Sequence, residues 1–308
     1  MFLKAEELTE KVLAARPSIE AFLGVSDHVP HAQWIKYKNE EEFLLVTFNV
    51  LNPAYVSFVN GDFRHNKPPG WWSTLKDQFG LENAPFADPY NQISRENLIL
   101  YSIVSLMRKY RRVVVCIQEC GFDLAERLNE ARRYDVMEIL RVPQSERLAD
   151  MCVTLCSPDL EPLGCYSNGE YVYTKLFSGK LALYNVHLRY NTKHATETLK
   201  EYVGSCTVGK LDTLIVGDFN IPVQPQSEFV KKENSCTANL IEVSAMLENH
   251  LRAQAITPLF ALHPNHWTNW VPRRNCKDNW DHMDNIMLLS SNPEQFSIHS
   301  ERWDVQLK

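Results

Sequence analysis

The sequence predicts an α/β protein on mixed β-sheets whose strands are buried on both faces, and three observations carry that expectation. Short apolar, β-branched runs recur, FLLVTFNVL at 43–51 and VVVCIQE at 113–119 among them; they do not alternate, and they are too short for solitary helices. Segments with apolar residues at helical spacing stand between them. Ser178-Gly179 separates two of the strand runs as a hairpin signal, which an all-parallel sheet would not need.

Taken in order, Leu8, Val12 and Leu13, then Ile19, Phe22 and Leu23, have helical spacing, so 3–24 reads as an amphipathic helix broken near Pro17. The run 43–51 is a buried strand. Residues 52–93 hold Pro53, Pro68, Pro69, Gly70, Pro85 and Pro89 with many aromatics, a long irregular insertion of the kind that carries function. Ile99, Ile103 and Leu106 put a helix at 97–109, and a strand follows at 113–119. Leu124 and Leu128 mark a helix at 122–133. Strands are expected at 151–156, 171–177 and 181–188, a helix at 195–203, and a strand at 211–220 that ends in a sharp polar turn. A helix at 238–255, a Pro- and Trp-rich loop at 258–280, a strand at 283–289 and a short strand at 303–307 complete the reading. No repeat, low-complexity tract or linker is visible. Residues 1–30 are expected to form a helical segment packed on a single domain spanning 31–308.

At roughly 150 residues per domain, 308 residues allow about two domains, though α/β folds of this size are often one. The chain is 44% hydrophobic with a net charge of −6, which excludes a disordered chain and a basic histone-like protein. A surface that grips nucleic acid through its phosphates must therefore be local. The apolar runs fall far short of the roughly 20 residues of a membrane span. Lys4, Glu6, Glu7, Glu10 and Lys11 break any signal-peptide core. Cys116, Cys120, Cys152, Cys156, Cys165, Cys206, Cys236 and Cys276 include no C-x-x-C pair. Several sit in apolar runs, so they are expected to be free buried thiols of an intracellular protein, cytoplasmic or nuclear.

Four apolar strands end in residues that a buried strand should avoid: Asn49, Glu119, His187, and Asp218 with Asn220. An unpartnered buried carboxylate is costly, and strand ends that gather acids and amides are where α/β sheets build sites. Singly, each has a plainer reading. GDFN can be a turn, Glu119 a capping residue, and His187 a satisfied core histidine. Together they make an inventory for phosphoester hydrolysis. Glu119 and an Asn oxygen suit Mg²⁺, His187 and Asn220 can donate to phosphate oxygens, and Asp218 can hold or activate water.

TFNVLN, CIQEC, NVHL, GDFN and MDNIML, in that order, resemble the endonuclease/exonuclease/phosphatase superfamily, whose members include DNase I, abasic-site endonucleases, deadenylases and neutral sphingomyelinases. The resemblance covers residues 43 to about 307. It implies a four-layer sandwich, two mixed β-sheets face to face with helices outside. It implies Asn49 beside the metal, Glu119 as the principal Mg²⁺ ligand (with Mn²⁺ a possible substitute) and His187 on the scissile phosphate. Asp218 would orient or deprotonate water, Asn220 would bind phosphate, and Asp284 would pair with a catalytic histidine.

The chain departs from the pattern at that histidine. The superfamily's Ser-Asp-His reads Ser300-Glu301-Arg302 here. Arginine does not give up its proton in a protein, so Arg302 can neutralise phosphate but cannot be a base. His282 and His299 are the replacements nearest in sequence; the other outcome is a slow enzyme, or one that binds metal and phosphate without turnover. Trp72 in the 52–93 insertion is a base-stacking candidate, and Arg189 a phosphate contact. The expected substrate is RNA or single-stranded DNA, with a small or lipid phosphoester as the alternative.

Overall fold

The structure is a computed structural model. It describes residues 26, 28, 30–52, 92–131, 138–141, 151–167, 171–188, 197–198, 211–220, 257–260, 269–270, 280–281 and 284–300. The segments 3–24, 238–255 and 303–307 lie outside these residues, as does most of the 52–93 insertion.

Among the described residues the strands form two large six-stranded sheets. The first runs β14 (Phe296–Ser300), β1 (His31–Tyr37), β2 (Phe43–Asn49), β3 (Val113–Cys120), β5 (Met151–Cys156), β4 (Glu138–Arg141). The second runs β10 (Thr257–Phe260), β13 (Asp284–Ser290), β9 (Asp212–Asp218), β8 (Leu181–His187), β7 (Tyr171–Leu176), β6 (Leu163–Ser167). A two-residue ladder pairs β11 (Asn269–Trp270) with β12 (Trp280–Asp281). Both large sheets are mixed in the same way: β2 with β3, and β8 with β9, are parallel, and their other pairs are antiparallel.

The unbroken apolar runs follow from two-sided burial. Phe43 and Leu45 of β2 join Val114, Cys116, Leu183, Leu214, Val216, Ile286 and Leu288 in the core between the sheets. Leu44, Val46 and Phe48, on the other face of β2, pack against helices α1 (Gln92–Lys109) and α2 (Phe122–Ala131) through Ile99, Ile103, Leu124 and Leu128. The described residues thus make a helix layer and two sheet layers. Of the helix expected at 195–203, residues 197–198 are described and are helical. Among the described residues no helix is long and apolar enough to cross a membrane.

Several boundaries differ from expectation. α1 starts at Gln92 rather than 97. The turn after β7 takes four residues, with Phe177, Ser178 and Gly179 all at positive φ, rather than Ser178-Gly179 alone. β1 gave no apolar signal because His31 and Gln33 lie in its core-facing pattern; Gln33 Nε2 meets His31 Nε2 there at 2.9 Å. The short edge strand β4 was also missed, as was β6, where Gly164 and a register shift break the pattern.

Candidate active site

Strand order brings the polar endings together. The parallel pair of each sheet delivers its C-terminal ends to one end of the sandwich: Asn49 and Glu119 from the first sheet, His187 and Asp218 from the second. His187 stands opposite Asp218 in the β8–β9 register, and Asp284 opposite Asp218 in the β9–β13 register. Three of the expected site positions therefore form one row across neighbouring strands, dictated by pairing alone.

Asn49 ties the sheets together there. Its Nδ2 donates to Glu119 Oε1 and to Asp218 Oδ2, each at 2.9 Å. Its Oδ1 accepts the Leu51 N–H at 2.9 Å, which settles the orientation of the amide. Asn49 thus presents donors to the two carboxylates, and it lies beside Glu119. Glu119 Oε2 also accepts the Asn52 N–H at 2.9 Å. His187 Nε2 lies 3.4 Å from Glu119 Oε1 and 3.8 Å from Asp218 Oδ2. Asp218 Oδ1 accepts the Asn220 N–H at 2.8 Å, closing the turn, and Asn220 Nδ2 donates to the Leu188 carbonyl at 2.6 Å.

The backbone is bent to achieve this. Leu51, Glu119 and Asn220 have φ of 56°, 55° and 49°, a left-handed conformation that costs non-glycine residues about 1–3 kcal/mol each. Glu119 falls within a register shift of the β3–β5 ladder between Ile117 and Cys120, a bulge that turns its side chain toward the site. Gly217, at φ 139°, lets β9 pass β8: a Cβ there would lie 2.0 Å from the Val186 carbonyl oxygen.

A residue that the sequence reading left out completes the group. His28 Nδ1 lies 2.7 Å from Asp284 Oδ2, and its Nε2 is 3.7 Å from Asp218 Oδ2. It comes from the stretch that the expected domain boundary at residue 30 set apart. No apolar run frames it, so it gives no strand-end signal, but Ser26-Asp27-His28 spells the Ser-Asp-His tripeptide expected at 300–302.

The site is deep on one side and open on the other. The side chains of Asp218 and Asp284 are 1% and 0% exposed, those of Glu119 and His187 12% and 20%. The groups able to hold a cation follow this division, with ligand atoms in each within 4.8 Å of one another: His28, Asp218 and Asp284 on the buried floor, and Glu119, His187 and Asp218 at the open edge. Arg189, Arg302, Trp72 and His282 lie outside the described residues. His299 falls within β14, opposite Trp34 of β1.

No family model matches the chain, and no curated protein matches it. Similar solved structures include ANGEL2, a 2',3'-cyclic phosphatase, at 14% identity and a TM-score of 0.45 over 83% of this chain and 85% of that one. The AP endonuclease LMAP from Leishmania major is 12% identical with a TM-score of 0.47, over 97% of this chain and 100% of that one. An AP endonuclease from Archaeoglobus fulgidus is 13% identical with a TM-score of 0.42, over 63% and 82%.

Proposed function

We propose that this chain is a divalent-metal-dependent phosphoesterase of the endonuclease/exonuclease/phosphatase superfamily, hydrolysing phosphodiesters of RNA or single-stranded DNA. The observation that carries the reading is the meeting of Glu119, Asp218 and His187 from two sheets at one amide, Asn49, at the carboxyl ends of the parallel strand pairs.

The donor set fits a hard divalent cation. Glu119 and Asp218 converge, and among the described residues no lysine or arginine lies within ion-pair distance of either; their ion-pair contacts are imidazoles. Mg²⁺ prefers oxygen ligands and keeps several waters, so it suits the half-open Glu119 edge better than the closed floor, where His28 and Asp284 already bond to each other. Glu119 would hold the ion, with Asn49 beside it as the donor that orients the carboxylate. A bound cation supplies charge neutralisation for the phosphate and a lowered pKa for water.

The chain's own groups do the rest. His187, at the open rim, donates to a phosphate oxygen. Asp218, its carboxylate fixed by Asn49 and by the Asn220 N–H, would orient the attacking water. Asn220, whose Nδ2 gives one N–H to the Leu188 carbonyl, would offer the other to the phosphate. The partly exposed edge would admit substrate, while the buried floor would keep bulk water from Asp218.

The test is a substrate panel of single-stranded RNA, single-stranded DNA, lesion-bearing duplex, sphingomyelin and inositol phosphate, assayed with Mg²⁺, Mn²⁺ and chelator. The reading expects metal-dependent cleavage of a single strand. Turnover of a phosphomonoester or lipid alone replaces the substrate class, and metal binding without turnover on any member overturns the enzyme.

A further inference from the structure

Asp284 is wholly buried at the first position of β13, beside the equally buried Asp218 in the neighbouring strand. Two adjacent buried carboxylates need a group that offsets their charge. By the resemblance, the partner of Asp284 should be a histidine at residue 302, which is arginine here. The structure puts a different imidazole against it: His28 Nδ1 is 2.7 Å from Asp284 Oδ2.

The placement of that ring is fixed from three sides. Its backbone N–H donates to Ser26 Oγ at 3.1 Å, and Ser26 Oγ donates in turn to the Asn49 carbonyl at 2.7 Å. The residue is thereby pinned to the end of β2. With Nδ1 turned to Asp284, Nε2 faces Asp218 Oδ2 at 3.7 Å, the same oxygen that lies 3.8 Å from His187 Nε2. The side chain of His28 is 4% exposed, so it belongs to the floor of the site.

Topology explains how residue 28 can stand in for residue 302. β14 runs antiparallel to β1, with Phe296 opposite Tyr37 and Ser300 opposite Gln33. The chain leaving β14 and the chain entering β1 therefore share one end of the sheet, the end where β2 delivers Asn49. A histidine on either segment starts from the same place.

We propose that His28, on the segment leading into β1, is the imidazole partner of Asp284 and the positioning residue for Asp218, so that the absence of a histidine at 302 leaves no gap. The inference rests on the reading of Asp218 as the group that orients the attacking water. His28 bonds Asp284 through Nδ1 and turns Nε2 toward Asp218 Oδ2 at 3.7 Å, an ion-pair distance rather than a hydrogen bond, beside Asn49 and His187.

Two measurements on the full chain test it. In the first, with ¹⁵N-labelled histidine, the ring of His28 shows a slowly exchanging proton on Nδ1, and its Nε2 signal shifts in Asp218→Asn. An Nε2 signal unmoved by Asp218→Asn, or a rapidly exchanging Nδ1 proton, overturns the pairing whether or not the protein turns over any substrate. The second uses His28→Asn, whose amide nitrogen can keep the bond to Asp284 but offers nothing at the Nε2 position. Melting and the Mg²⁺ concentration for half-maximal rate stay near wild type, KM is unchanged, and kcat falls about 10- to 100-fold. An unchanged kcat makes the ring merely structural and overturns the proposal. Arg302→His alone gives no gain; a gain of about tenfold or more means the place was empty and also overturns it. A wild-type chain with no turnover on any phosphoester defeats the phosphoesterase reading, while the ring signals still decide the pair.

Discussion

Gln118 of the first sheet donates from Nε2 to Asn185 Oδ1 of the second at 2.7 Å, a buried bond that crosses the sandwich directly beneath the site. Asn185 Nδ2 in turn faces the carbonyls of Ile117 and Val153, at 3.2 Å and 3.0 Å, and Thr154 Oγ1 at 3.1 Å. Thr47 Oγ1 donates to Gln118 Oε1 at 3.2 Å, so β2 is bound into the same network. Polar groups in an otherwise apolar layer fix which strand ends face each other, and hence that Glu119 meets Asp218.

Asn185→Leu removes one acceptor of Gln118, whose Nε2 keeps the Cys116 carbonyl at 3.2 Å, and takes the Asn185 amide away from the buried Ile117 and Val153 carbonyls and Thr154 Oγ1. Buried unsatisfied groups cost about 1–3 kcal/mol each, so unfolding in urea should show a loss of about 2–4 kcal/mol. A loss below about 1 kcal/mol would mean that the network contributes little.

Gly217→Ala puts a Cβ on the Val186 carbonyl, backbone against backbone, at a φ that L-residues rarely adopt. The next residue is Asp218, so the strand cannot yield without moving the site. We expect a destabilisation of at least about 2 kcal/mol and loss of hydrolysis together. Wild-type melting and rate would contradict the close approach of β8 and β9.

Cys116, wholly buried beside Cys156 and Cys152, has its thiol pushed well above the usual value of 9.0, first by burial and then by those neighbours. Below that usual value the thiol is protonated in both states, and its contribution to stability is fully present. As pH rises through it, the unfolded thiol ionises while the folded one keeps its proton. The unfolded chain then binds fewer protons, and stability falls with pH. Urea midpoints should therefore decline above pH 9, and Cys116→Ala should flatten that decline. Stability that holds or rises through this range would refute the assignment.

Asn49→Ala deletes the donor shared by Glu119 and Asp218 but leaves the Asn52 N–H on Glu119. Calorimetric titration with Mn²⁺ should show affinity reduced about 10- to 100-fold in a folded protein. Unchanged affinity would show that Asn49 does not orient the metal-side carboxylate.

Much of the site was legible because chemistry interrupts hydrophobic pattern. Asn49, Glu119, His187, Asp218 and Asp284 each stand out against an apolar strand, and the strand pairing brings them together. His28 gives no strand-end signal because the stretch SDHVPH has no such background; the signal it does carry is Ser26-Asp27-His28, the Ser-Asp-His expected at 300–302 but standing ahead of β1, and tertiary packing shows that the histidine is buried. β1 escaped notice for a related reason, since His31 and Gln33 meet inside the core rather than at its edge. The left-handed backbone at Leu51 and Glu119 left no trace either, because neither residue type favours it. The free buried thiols at Cys116, Cys120, Cys152 and Cys156 were readable from their apolar surroundings.

The central claim is that Glu119 holds the cation on which phosphoester cleavage depends. Cleavage of a labelled single-stranded oligonucleotide should be measured across a Mg²⁺ series for wild type and Glu119→Ala. The account predicts saturable metal dependence in wild type, silence in chelator, and joint loss of rate and metal response in the variant. A variant that still cleaves with an unaltered Mg²⁺ response would contradict it.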